Sequence, residues 1–508
     1  MKTLLCTIIM LACASQLQGY KILVVTPIPS KSHWILLKAQ ADILHEHGHE
    51  VTLIGCYASK NPLYREIVLQ EIAKSAALSV MNFSLAKRSA VETMYRLKDI
   101  SDWTTNGMFT NEAVKKLLDD RTEKFDLVIV EHFMNDMLIG LGIKYNCPLI
   151  TSSTSSVTHW IARVTGNPLS TSIAPHLLTA FPPTMNLWQR AMNFGMAVID
   201  DIFFRFILKP SQEGLYKKFL PEESERVPFS ELPQHVAFTF LNSHPSIGIP
   251  RPLLPNTVEV GGYHIQKAGN LPENLQKLLD NTKDGVIFFS MGSNLKSADF
   301  SLEFRAGLLK LFGGLKQTIL WKFEEDLPGK PENVMISSWL PQAEILAHPN
   351  LRIFITHGGL LSLTESSSAG VPLIVIPIFG DQYNNAAAVV ERGQGVRIDY
   401  TNLTADSLSW AIGEVLNNPS YAHTVKTIKQ RFHDRPMDPR EAINFYAENI
   451  IRTGGAPHFS PRPLCLVSTL FLDVAAVFLL PHLLLLGAIF TCRKCCIKIT
   501  KMAKKKKD

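Results

Sequence analysis

A chain of 508 residues, 46% hydrophobic and 19% charged, has material for two globular domains and for apolar segments besides, which excludes a disordered polymer. Its formal charge of +6 is an end effect: eight lysines and arginines follow Cys492 against the lone Asp508, and the remainder is near neutral. No broad cationic face for nucleic acid is expected, and with only Cys56 and Cys147 in the body neither a disulfide framework nor a cysteine zinc site can be built.

Residues 1–19 read as a signal peptide: Met1-Lys2-Thr3, an apolar run from Leu4 to Ala14, and a cut after Gly19. A buried strand follows over Tyr20–Thr26, then a loop through Pro27-Ile28-Pro29 to Ser32-His33, a helix over Trp34–His47 stopped by Gly48, and a strand over Glu50–Ile54. That is one βαβ unit. The string His45-Glu46-His47-Gly48-His49 matches a zinc-protease pattern, but Gly48 and the strand behind it break the helical face that two ligands would share. Apolar runs at Asp126–Val130 and Pro148–Ser152 have the continuous character of parallel strands. Between 160 and 210 the chain is aromatic-rich, with an amphipathic spacing through Trp188, Met192, Met196, Ile199, Phe203 and Ile207, expected to pack on the core.

The proline-rich stretch 243–256 is the candidate linker between an N-terminal domain, 20–242, and a C-terminal domain, 257–463. Alternation resumes with strands at Gly285–Ser290, Thr318–Lys322, Val334–Ser337, Arg352–Thr356 and Leu373–Ile376. The expected architecture is α/β: two doubly wound, Rossmann-like domains facing each other across a cleft. Residues 464–492 form an apolar segment long enough to cross a bilayer, followed at once by the basic tail 493–508, which the positive-inside rule puts in the cytosol. Lys505 and Lys506 stand four and three places from the end, as in a di-lysine retrieval signal of endoplasmic reticulum membrane proteins. The expected topology is therefore single-pass type I with lumenal domains. The sequons at Asn82 and Asn402 are compatible with it.

The chemistry concentrates between Phe354 and Ala386. The strand ending at Thr356 runs into His357-Gly358-Gly359, and a helical pattern starts at Leu360. Strand, glycine turn and helix start aim free N–H groups and a positive helix end at a phosphate. Glu365 lies about two helical turns further on, within reach of a ribose. Asp381-Gln382 follow the next strand with a carboxylate and an amide suited to sugar hydroxyls. Together these are the parts of a nucleotide-sugar site.

This segment resembles the signature of the UDP-glycosyltransferases, and its Leu360-Leu361-Ser362 variant resembles the insect branch. Trp339-Leu340-Pro341-Gln342, His348-Pro349, Phe289-Ser290-Met291-Gly292-Ser293, Ser32-His33-Trp34 and the C-terminal anchor fit the same pattern, in order, over residues 20–508. The resemblance implies the GT-B fold, a UDP-sugar and a small lipophilic acceptor as partners, and His33 as the base that deprotonates an acceptor hydroxyl. It implies uracil stacked on Trp339 with Gln342 at ribose or base. The diphosphate would meet His357, Gly358, Gly359 and Ser362 with Ser290, Gly292 and Ser293 opposite, Glu365 the ribose, and Asp381 and Gln382 the sugar. Two departures stand out. Better-known members carry an aspartate directly after the strand ending at Val130, where this chain has Glu131, with Asp136 five residues on; either can reach His33, and Asp136 is slightly favoured. An asparagine of plant and vertebrate members is replaced by Leu361. No D-x-D pattern occurs, so no metal cofactor is expected. The insect-type likeness implies glucose, with glucuronate as the alternative donor sugar and a non-catalytic, lipophile-binding relative as the alternative of another class. A homo-oligomer is left open.

Overall fold

The computed structural model describes residues 19–78, 83–266, 269, 271–293, 295–460 and 472–505. The signal segment 1–18, the sequon Asn82 and the last three tail residues lie outside them. Among the described residues, thirteen strands form two wholly parallel sheets. In the first, β1 (Lys21–Thr26), β2 (Glu50–Gly55), β3 (Arg65–Val68), β4 (Leu127–Glu131), β5 (Leu149–Ser153), β6 (Val236–Leu241) and β7 (Thr257–Glu259) run in the order 3-2-1-4-5-6-7. In the second, β8 (Val286–Ser290), β9 (Thr318–Lys322), β10 (Val334–Ser337), β11 (Leu351–Thr356), β12 (Leu373–Val375) and β13 (Gly395–Arg397) run in the order 10-9-8-11-12-13.

Both sheets are dry on both faces, which is why their strands read as unbroken apolar runs. Leu23, Val25, Val128 and Val130 join one core while Ile22, Val24, Leu127 and Ile129 join the core on the opposite face. The second sheet divides in the same way, with Ile287, Phe289, Ile353 and Ile355 on one side and Val286, Phe288 and Phe354 on the other. In each sheet the winding reverses at a neighbouring pair of strands, β1 and β4 in one, β8 and β11 in the other. Open α/β sheets leave a crevice at such a pair, beyond the carboxyl ends of the strands. The residues singled out above as chemical candidates lie at or after these strand ends or those beside them, except Trp339 and Gln342, which follow the edge strand β10.

Several expected boundaries move. Thr257–Glu259 pairs with β6 and completes the first sheet, so the proline-rich stretch is a crossing inside the first lobe's own edge and not its limit. Chain from the far end returns as well: the helix Pro439–Arg452 inserts Ala442, Ile443, Ala447 and Ile450 into the first lobe's core. Of the amphipathic spacing expected to pack on the core, Met196, Phe203 and the partly buried Ile207 do so, whereas Trp188, Met192 and Ile199 are exposed. In the helix Leu187–Phe203, Asn193, Met196, Ala197, Asp200 and Phe203 are buried, whereas Leu187, Trp188, Phe194, Ile202 and, in the π-helical turn behind it, Phe206 are more than half exposed. A fine join also links the lobes, because Phe83 stacks between Phe300 and Tyr400 at centroid distances of 4.6 and 4.9 Å.

Residues 461–508 form a separate unit from the body 1–460. Within it the helix Leu472–Lys505 contains a stretch, Val474–Cys495, long and apolar enough to cross a membrane. It ends three residues later than the 464–492 segment expected from sequence, and 464–471 lie outside the described residues.

Candidate functional site

A cleft of about 1590 Å³ opens between the carboxyl ends of the two sheets. The first lobe brings His33 to it. The helix after β1 starts at Lys31, three residues earlier than its apolar pattern, and this puts His33 on its first turn. His33 Nδ1 is hydrogen bonded to Glu131 Oε1, and the ring meets Phe133 edge-on at 5.3 Å. Glu131 is the last residue of β4, fully buried, and its other oxygen accepts from the Thr26 hydroxyl at 2.5 Å. A carboxylate held on one imidazole nitrogen fixes the tautomer and leaves the second nitrogen for a proton.

The slight preference for Asp136 is corrected. Asp136 opens a short 3-10 helix, and its Oδ1 lies 2.9 Å from His132 Nε2, away from His33. The intervening turn, with Met134 at φ +58° and Asn135 Oδ1 accepting from Phe133 N at 2.8 Å, carries Asp136 past the strand end. Glu131 reaches His33 from the strand itself, with its additional methylene spanning from β4 to the first turn of the helix after β1.

The second lobe supplies the turn. Gly358 has φ +85°, and a Cβ there would lie 2.5 Å from Val375 Cγ1, so both backbone and space require glycine. Gly359 caps the helix Leu360–Ala369 in extended conformation. Opposite, at the end of β8, Gly292 has φ +79°, and a Cβ there would stand 2.4 Å from His357 Cε1. The His357 ring thus lies against bare backbone. Burial, with the Lys322 charge behind it, pushes its pKa down to about 4, so the ring is neutral near pH 7 and can donate one N–H without adding charge.

Around the turn, Gln342 Nε2 donates to Ser362 Oγ at 3.1 Å and Glu365 Oε2 at 2.7 Å, tying the start of one helix to the face of the next. Ser290 Oγ accepts from Gly292 N at 3.3 Å. Trp339 is 56% exposed, its face turned to the cleft with Lys31 Nζ 4.8 Å from the ring centroid. Asp381 is bonded to Asn385 Nδ2 at 2.7 Å; burial raises its pKa, while the Asn385 bond and the His33 charge from the facing lobe oppose the rise. Gln382 is spent in part on its own loop, since Oε1 accepts from Ile378 N at 2.8 Å and Phe379 N at 3.1 Å. Leu361 lines the cleft and also packs against the first lobe's core.

Of the residues expected at the site, Ser290, Gly292, Ser293, Trp339, Gln342 and His357 line this one cleft, as do Gly359, Ser362, Glu365, Asp381, Gln382 and His33. Gly358, Glu131 and Asp136 stand behind its wall. Asn402 is exposed in a short 3-10 helix. Among the cations in the wall that were not anticipated are Lys31, two residues before His33, and Lys322, at the end of β9 and paired with Glu324 at 2.6 Å. Their signal was position after a strand, which composition does not mark. The decoy behaves as a helix end, with Gly48 at φ +89° and His49 Nε2 3.0 Å from Asn444 Oδ1. A second cluster, His159, His176 and Asp200, holds ligand-type atoms within 4.8 Å of one another. Its His176 Nδ1 accepts from Leu178 N at 3.2 Å, which places the ring proton on Nε2 and makes that atom a donor instead of a metal ligand.

A buried carboxylate on an imidazole in one lobe, facing an N–H-lined glycine turn and an exposed indole in the other, can deprotonate a hydroxyl beside a bound nucleoside diphosphate. Comparison with known proteins shows the family. The family model described as UDP-glucoronosyl and UDP-glucosyl transferase matches residues 20–508. UDP-glycosyltransferase UGT5 of Dactylopius coccus is 33% identical over 480 residues, 92% of this chain and 91% of that one. UDP-glucuronosyltransferase 2C1 of Oryctolagus cuniculus is 30% identical over 497 residues, covering 92% and 96%. Among solved structures, glycosyltransferase VinC in complex with DTDP superposes with a TM-score of 0.59 at 16% identity, over 85% of this chain and 100% of that one, which establishes the GT-B fold. The chain is an enzyme of the UDP-glucuronosyl and UDP-glucosyl transferase family.

Proposed function

We propose that the enzyme transfers a hexose, glucose from UDP-glucose, to a hydroxyl of a small lipophilic acceptor with inversion at the anomeric carbon. His33 Nε2 takes the acceptor proton, while Glu131 on Nδ1 holds the tautomer and balances the imidazolium that forms. The acceptor oxygen bonds to the anomeric carbon as the bond from that carbon to the diphosphate oxygen breaks, so an α-linked donor yields a β-glycoside and UDP. The charge on UDP is received by the Gly359 N–H, the start of the helix Leu360–Ala369 and a neutral His357, with Gly358 shaping the turn behind them. Trp339 stacks on uracil, Gln342 and Glu365 take the ribose, and Asp381 with the free end of Gln382 takes the sugar. No step calls for a divalent ion. Activity lost in chelator and restored by one particular metal would contradict that part.

The observation that carries the reading is the hydrogen bond from His33 to buried Glu131 within a cleft whose far wall holds the glycine turn. Glucose is favoured by the insect relatives, among them UDP-glucosyltransferase 2 of Dactylopius coccus, 32% identical over 448 residues. The apolar stretch Val474–Cys495 supports a membrane anchor, and the basic tail behind it supports lumenal domains in the endoplasmic reticulum. Microsomal protein given UDP-glucose and a simple phenol should form the β-glucoside, and His33→Ala should lower the rate by about 10³-fold. Equal product from both proteins sinks the base assignment. No product from either favours a non-catalytic lipophile binder, and product from UDP-glucuronate alone changes the donor.

A further inference from the structure

The acceptor side of the cleft holds a cation that the reaction does not use. The helix Ala90–Thr110 presents one stripe to the cleft, Glu92, Arg96, Asp99 and Trp103, at the spacing that puts residues on a single helical face. Tyr95 and Trp103 supply half-exposed aromatic surface on this wall. Arg96 stands among them with its Nε closed off from solvent and without a hydrogen-bond partner. The nearby acids are otherwise engaged. Glu92 Oε2 accepts from Ser89 N at 2.7 Å and Ser89 Oγ at 2.8 Å, and Asp99 Oδ1 lies 3.3 Å from Lys98 Nζ. Burial first, and then the like charge of Arg88, which also lines the cleft wall, lower the Arg96 pKa from its usual value.

A guanidinium Nε shut off from solvent with no hydrogen-bond partner is costly unless a ligand group completes it, and exposed Arg88 adds a second positive charge to the same wall. A guanidinium edge matches a carboxylate in shape and binds it through paired N–H bonds, which a lysine cannot do. We infer that the acceptor carries a carboxylate, read by Arg96 with Arg88, on an aromatic body held against Tyr95 and Trp103. This rests on the glycosyl-transfer reading for the word acceptor, but the anion site itself does not depend on turnover.

The test uses the full-length protein in microsomes with 6-hydroxy-2-naphthoate and its methyl ester, which differ only in the charge. Two readouts are taken: kcat/KM with UDP-glucose, and equilibrium binding in the presence of UDP followed by naphthol fluorescence. The wild type should favour the acid by about tenfold in both, the scale of a hydrogen bond to an ionised group. Arg96→Gln should bring the acid-to-ester ratio to about one, Arg88→Gln should lower it partway, and Arg96→Lys should keep an intermediate ratio, which separates lost recognition from lost folding. Preferential binding of the acid without product leaves the anion site standing and removes the transfer reading. Ester bound as well as acid, neither bound, or a preference that survives in Arg96→Gln overturns the inference. So does a loss in Arg96→Gln confined to the KM of UDP-glucuronate, which would assign the arginine to the donor sugar.

Discussion

Replacing Glu131 by glutamine keeps the length of the side chain and removes the charge that faces His33. The imidazole can then be held in the wrong tautomer, and the imidazolium formed during transfer loses its counter-charge. Glu131→Gln should therefore lower kcat by roughly 10²- to 10⁴-fold with little change in the KM of UDP-glucose, measured by initial rates at saturating acceptor. Asp136→Asn should stay within a few-fold of wild type, because Asp136 meets His132 and not His33. A larger loss in Asp136→Asn than in Glu131→Gln would reverse the assignment of the supporting carboxylate. The sequence alone could not separate the two, since both lie within reach of the loop after β1. What decides is the turn at Phe133–Asn135, where a non-glycine residue, Met134, takes φ +58° and sends the following chain away. No composition or period marks such a turn.

At the scale of elements, the glycine turn joins fold and function most tightly. Any side chain at Gly358 meets Val375, which is locked in β12 beside β11, and the backbone there is left-handed as well. Gly358→Ala should cost a few kcal/mol of stability, seen as a lower unfolding midpoint, and should weaken UDP binding more than tenfold. An alanine variant that binds UDP normally would mean the turn is not the phosphate cradle. This element was legible because its strand, glycines and helix start are consecutive in the chain. The amphipathic helix Leu187–Phe203 was legible only as a helix, since its period fixes that one face is apolar and not which surface covers it. Most of its apolar side chains, Trp188, Phe194 and Ile202 among them, are exposed in the body. The returns of Thr257–Glu259 and Pro439–Arg452 to the first lobe were equally hidden, because partners so far away in sequence leave no local signal.

For the body as a whole, histidine burial sets the response to acid. Burial pushes His357, His176 and His244 down to about 4, and His159 to about 2. In the unfolded chain these groups bind protons near pH 6.5, so between about 6.5 and 4 the unfolded state takes up more protons than the folded one. Stability should accordingly be full above pH 7 and fall as pH drops through this window, by on the order of 2 kcal/mol for each such histidine by pH 5. Urea unfolding of the purified protein at pH 7.5 and pH 5 measures it; equal midpoints would remove these groups from the acid response. Two lobes with opposed strand ends were readable from the alternation of apolar runs, but the pairing of a base in one with a nucleotide site in the other exists only once they face each other. That division of labour is the central claim. Calorimetric titration of UDP into wild type, His33→Ala and Trp339→Ala tests it most directly. His33→Ala should keep wild-type affinity and Trp339→Ala should lose about tenfold or more; UDP binding that ignores the indole, or that disappears with the imidazole, would contradict that division.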